Sequence, residues 1–108
     1  MIEKVYNFKK TGQKLIEKIV NDQYVNINHM VIPMKEGLPV HSSNSNIYLI
    51  VIKGRMDIRL GEQEPASYEA GSIINVPYGI RMDIQNKQRS LLEFFVIKAP
   101  HQKQIETK

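Results

Sequence analysis

The sixteen residues 71–86, GSIINVPYGIRMDIQN, decide how the rest of this chain is read. Ile73, Ile74 and Val76 make a β-branched run, entered through Gly71, a residue type that tolerates positive φ. Pro77 has no amide hydrogen to give to a ladder and therefore suits the end of a strand. Gly79 then permits a tight turn before residues 81–85 resume an alternating strand. Read by itself, the stretch is a strand, a corner and a second strand.

Working outward, the flanks repeat this grammar. Residues 65–68 predict a short strand, residues 61–63 a turn, and residues 55–60 alternate Met56, Ile58 and Leu60 against Arg55, Asp57 and Arg59. Lys53 and Gly54 form a turn after the run of strand formers at residues 47–52. Downstream, a last strand is expected at about residues 90–98. Its alternation sets Leu91, Glu93, Phe95 and Ile97 against Leu92, Phe94 and Val96, a pattern that does not choose a face for Glu93.

Upstream, residues 34–46 hold Gly37, Pro39, Ser42, Ser43, Asn44, Ser45 and Asn46, a turn-forming loop with His41 inside it. Residues 14–20 fit a helical face as well as one side of a strand. The polar turn at residues 21–23 and the β-rich run at residues 24–33 make them the antiparallel partner of that run. Residues 1–13 are a lead-in for which helix and extended chain both stay open, and residues 101–108 are a polar tail. Short strands between regular turn signals predict an all-β sandwich or barrel, and 108 residues suit one domain spanning 1–108.

Composition narrows the chemistry. Cysteine is absent, which excludes disulfides and thiolate nucleophiles and fits a reducing compartment. The longest apolar run, residues 47–52, is far short of a membrane span, and the start MIEKVYNFKK lacks the apolar stretch of a signal peptide. We therefore expect a cytoplasmic protein without membrane contact. The net charge of +4 rests on Lys4, Lys9, Lys10, Lys14 and Lys18 at one end and Lys98, Lys103 and Lys108 at the other. Without a basic helix, a zinc motif or an aromatic RNA-binding signature, solvated termini account for it and nucleic acid is not expected.

The spacing of Gly71, Pro77, Gly79, position 82 and Asn86 resembles the second motif of the cupin family, with Met82 where that family has a histidine. Gly37, Pro39, His41 and Gly54 resemble its first motif in part: Ser43 stands at the second histidine position and Ile47 at the glutamate position, and the gap from Gly37 to His41 is short. The likeness covers residues 37–86 and implies a double-stranded β-helix, a jelly-roll barrel. In metal-binding cupins the four motif positions converge inside the barrel on a divalent metal. Here they read His41, Ser43, Ile47 and Met82, and a neutral hydroxyl, a hydrocarbon and a thioether replace three of the donors.

The expectation is thus a lumen with no metal and no cofactor, lined by His41, Ser43, Ile47 and Met82, which binds a small, partly apolar molecule. Tyr48, Tyr78 and Glu93 are additional polar candidates for the pocket, while His29 and His101 are read as structural. The resemblance also implies a homodimer built through edge strands and an exchanged terminal segment. The rival reading is a cupin enzyme, an isomerase, epimerase or metal-dependent oxygenase, with His41 and Tyr78 or Tyr48 as an acid-base pair.

Overall fold

The computed structural model describes residues 1–100 and 103. Residues 1–100 hold nine strands and no helix: β1 Leu15–Asn21, β2 Asn26–Ile32, β3 His41–Ser42, β4 Ile47–Lys53, β5 Arg55–Leu60, β6 Ala66–Glu69, β7 Ile73–Val76, β8 Arg81–Gln85 and β9 Leu92–Lys98. Two antiparallel sheets result, one ordered β1-β2-β9-β4-β7 and the other β3-β8-β5-β6. No helix among the described residues is long and apolar enough to cross a membrane. The expectations for His101 and for the tail fall, Lys103 apart, outside the described residues.

The corner at residues 77–80 is what makes two sheets from one hairpin pattern. β7 pairs with β4 in the first sheet, while β8 pairs with β5 and β3 in the second, so the chain changes layer at Pro77. Gly71 and Gly79 take φ of 98° and 82°, the left-handed backbone that a side chain would strain. Asn86 closes the far end of β8. Its side-chain amide donates to the carbonyls of Ile32 and Ser90, at 2.9 and 2.8 Å, and its oxygen accepts from the amide of Gln88 at 3.0 Å.

Strand alternation then fills the space between the layers. Leu49, Val51, Leu92 and Phe94 from the first sheet meet Met56, Ile58, Met82 and Ile84 from the second in a single buried cluster. Burying each such side chain contributes about 1.5–3 kcal/mol against the entropy of ordering it. Residues 1–14 lie in no strand and no helix, with bends at residues 3, 12 and 13, and Phe8 lies against the outer face of the first sheet. Of the readings left open for the lead-in, the helical one is not realised. The short β3 has no counterpart among the expected strands, because serines and asparagines around it are turn formers; its two pairs, His41 with Met82 and Ser42 with Arg81, are supplied by β8.

Candidate functional site

Between the sheets lies a cavity of about 50 Å³. Its walls are apolar, formed by Leu38, Ile47, Leu49, Met82, Ile84 and Val96 with Met30, and its polar groups are Asn28, His41 and Lys98. The pairing of β3 with β8 sets His41 directly across from Met82, and Ile47 enters from the start of β4 opposite Val76 and Lys98. Three of the four motif positions therefore line one cavity. His41 is exposed, and its Nδ1 lies 3.0 Å from the carbonyl oxygen of Pro39. A carbonyl only accepts, so Nδ1 carries hydrogen and Nε2 is the acceptor of the neutral ring.

Asn28 and Lys98 are not among the pocket residues expected from the sequence. Asn28 is 8% exposed, and its side-chain Oδ1 is buried with no hydrogen-bond partner. Alternation along NINHMVI places Asn28 and Met30 on one face of β2, but periodicity alone does not say which face is inside. Lys98 sits opposite Asn26 and Ile47 at the end of β9.

Ser43, expected in the pocket, and the additional candidates Tyr48, Tyr78 and Glu93 all lie away from the cavity wall. Ser43 is buried, but its hydroxyl serves the corner: it donates to the carbonyl of Pro77 at 2.6 Å and accepts from the amide of Ile80 at 2.9 Å. The Ser43 amide also donates to Ile80, and its carbonyl accepts from Gly79. Tyr48 lies on the outer side of β4, between the inward Ile47 and Leu49. Tyr78 is exposed on the corner and does not line the cavity. Glu93 faces outward, where its carboxylate meets His29 at 2.6 Å. Neither tyrosine is thus brought to the lumen beside His41, and the expected acid-base pair is not assembled there.

A wider hollow of about 160 Å³ lies on the outside of the second sheet, along Asp57, Arg59, Asp83, Gln85 and Lys87. Asp57, Asp83 and Arg59 there already have hydrogen-bond partners. Burial pushes the Asp57 carboxyl up, but the Ser67 hydroxyl at 2.6 Å and the Lys87 amide at 2.9 Å donate to its two oxygens, and the net shift is downward. The Gln85 side chain donates to Asp83 at 2.8 Å, and Arg59 donates to the carbonyl of Gln63.

The four motif positions do not fit a metal ion. Ile47 has no lone pair, the Ser43 oxygen is committed to the corner, and Met82 offers only a soft thioether beside the one imidazole of His41. Among the described residues no group of three or more histidines, cysteines, aspartates and glutamates could hold a metal ion.

A double-layered antiparallel barrel with its cavity between β3, β8, β4 and β9 is the architecture of a cupin. No family model matches the chain. It is 51% identical over 106 residues to the uncharacterized protein MJ0764 of Methanocaldococcus jannaschii, a match covering 97% of this chain and 91% of that one. The crystal structure of MJ0764, described as an RmlC-like cupin family protein with a double-stranded β-helix fold, superposes with a TM-score of 0.95 at 50% identity, covering 98% of each chain. By this kinship the chain belongs to the cupin family. The fold extends to more distant proteins. A protein of Klebsiella pneumoniae with a double-stranded β-helix domain matches with a TM-score of 0.76 at 15% identity, over 89% of this chain and 84% of its own. A cupin superfamily protein of Desulfitobacterium hafniense gives 0.72 at 13%, over 86% and 83%.

Proposed function

We propose that this cupin binds a small, partly apolar molecule in its lumen and does so without a metal. The observation that carries this reading is the composition of the cavity wall: seven apolar side chains enclose it, with His41, Lys98 and Asn28 as its polar groups. Such a surface favours an apolar body with one polar end and disfavours a bare divalent ion, which would lose its hydration shell for a single nitrogen donor. The enzyme alternative has less support, since His41 lacks the tyrosine partner that an acid-base pair would use.

The same reading includes a homodimer. β1 is an edge strand, and Ile2, Val5 and Tyr6 of the lead-in are exposed beside it in sequence, which a second copy would cover. Sedimentation equilibrium tests this part: a monomer at micromolar concentration would remove it.

The decisive experiment for the lumen is elemental analysis of untagged protein purified without chelators and offered manganese, iron, nickel, copper and zinc in turn. Retention of less than about a tenth of an equivalent is expected, because one recognisable ligand does not define a site. Near-stoichiometric metal would overturn the metal-free reading. Small-molecule thermal-shift screening of wild type and His41→Ala completes the test. A compound that stabilises the wild type should lose that effect in the variant, and equal stabilisation of both would remove His41 from the site.

A further inference from the structure

We propose that the occupant of the lumen is a neutral short-chain molecule that donates a hydrogen bond to Asn28, a primary alcohol of about two to four carbons being the simplest example. This deepens the lumen reading above and rests on it. Three features of the cavity each narrow the chemistry.

The first is size. A water needs roughly 10–15 Å³ of cavity, so about 50 Å³ holds about three to five water-sized groups, and the ligand has about that many non-hydrogen atoms. With one of them an oxygen, about two to four carbons remain. Sugars, nucleotides and long acyl chains do not fit.

The second feature is the side chain of Asn28. It lines the cavity at 8% exposure, and its Oδ1 is buried with no hydrogen-bond partner. A buried acceptor left without a donor is costly, and a ligand O–H satisfies it. His41 adds an acceptor at Nε2, because its Nδ1 hydrogen is spent on Pro39, but that residue is exposed and solvent serves it. Asn28 is therefore the acceptor that selects a donor. An ether or ester of the same size offers it no hydrogen.

The third feature is the lack of a free counter-charge. No aspartate or glutamate among the described residues lines the cavity, so an ammonium head would be buried unpaired. Lys98, the cation among the lining residues, has an interaction of its own and is not free to pair with an anionic head. Burying either ion against this wall costs far more than burying a hydroxyl that is hydrogen-bonded. A neutral head with one O–H, carried on a short apolar tail against Leu49, Met82 and Ile84, meets all three conditions.

The test is an NMR titration of the full-length protein with four probes of equal heavy-atom count: 1-butanol, its isomer diethyl ether, propionate and butylammonium. Shifts at Leu49, Met82 and Ile84 report occupancy. 1-Butanol is expected to bind about tenfold more tightly than diethyl ether, the ratio that one hydrogen bond of ordinary strength produces. Both ions should bind at least about tenfold more weakly than 1-butanol. Asn28→Val removes the acceptor and should bring the two isomers within about twofold of each other. Because the isomers match in size, a change of lumen volume in the variant leaves that ratio readable. Should Asn28→Val fail to fold, Asn28→Ala is read in the same way. Equal affinity for the isomers in wild type, binding of either ion as tight as that of 1-butanol, or an isomer preference that survives the Asn28 substitution would overturn the proposal and leave the lumen reading standing. No shift with any probe would overturn both.

Discussion

Nε2 of His29 lies 2.6 Å from Oε2 of Glu93, across the β2–β9 pairing and on the face of the sheet turned away from the lumen. The other ring nitrogen, Nδ1, lies 2.8 Å from Oε2 of Glu17, directly opposite on β1. Carboxylate oxygens only accept, so the two contacts together need hydrogen on both ring nitrogens or on one carboxyl group. The imidazole itself is wholly buried. Phe8 closes over it with ring centroids 4.8 Å apart, Phe95 packs from the other side at 5.1 Å, and the amide of Lys9 donates to Glu17 at 3.1 Å. His29 thereby joins three strands and the lead-in at one point.

Replacing His29 by alanine should destabilise the fold by about 2–4 kcal/mol, because the packing is lost, Glu93 loses the ring donor and Glu17 keeps only the Lys9 amide. Both glutamates keep some solvent contact, which holds the loss below that of a fully buried pair. Glu93→Gln keeps a hydrogen-bonding partner and should cost less. Urea unfolding measures both variants, and a His29→Ala change under about 0.5 kcal/mol would show that the contact contributes little.

Acid should loosen the same point. The hydrogen bond from His29 holds the Glu17 carboxyl below the usual carboxylate range, with the Lys9 amide acting in the same direction and partial burial opposing them. A lowered folded-state value means that ionised Glu17 stabilises the fold above its unfolded value, about 4.3, and that this contribution is lost as the pH falls through the folded value. Wild type should therefore lose stability between about pH 5 and pH 3 more steeply than Glu17→Gln. Parallel acid limbs in the two proteins would contradict the linkage.

Much of this fold is legible in the residues, and the reasons are local. Pro77 and Gly79 mark the corner because a missing amide hydrogen and a positive φ are requirements of the backbone, independent of what packs nearby. Met82 is legible because alternation sets Met82 and Ile84 against Arg81, Asp83 and Gln85, whereas in residues 47–52 both faces are apolar and only the motif position points Ile47 inward. The sequence leaves Glu93 undecided for the converse reason. The lead-in gives β9 a second apolar covering on its outer side, so both of its faces read as interior and only the partner His29 fixes the choice. The motif position points Ser43 to the pocket, whereas its hydroxyl bonds to Pro77 and Ile80, residues 34 and 37 positions away in the chain. Periodicity carries no information about such a contact.

That contact makes a prediction of its own. Ser43→Ala removes one donor from Pro77 and one acceptor from Ile80 in a buried corner, and it should cost about 1–3 kcal/mol. Ligand affinity should stay within about twofold, since Ser43 does not line the cavity. Calorimetric unfolding and the NMR titration separate the two effects. A large affinity loss without a stability loss would return Ser43 to the pocket.

Met82 carries both roles at once, and its truncation distinguishes them. The side chain is 2% exposed, belongs to the buried cluster and also forms part of the cavity wall. Met82→Ala should cost about 2–5 kcal/mol, because the removed atoms lose their packing and the space they leave joins a cavity that the rigid strands β5 and β8 cannot collapse. The enlarged lumen should then accept a probe one or two carbons longer than the wild type does, recovering part of that loss when the probe is bound. Urea unfolding in the presence and absence of 1-butanol and 1-hexanol reads both consequences. A cost well under the lower bound would mean that the wall relaxes inward. In that case no gain for the longer probe should appear, so a small cost together with a marked gain would contradict the packing described for this residue.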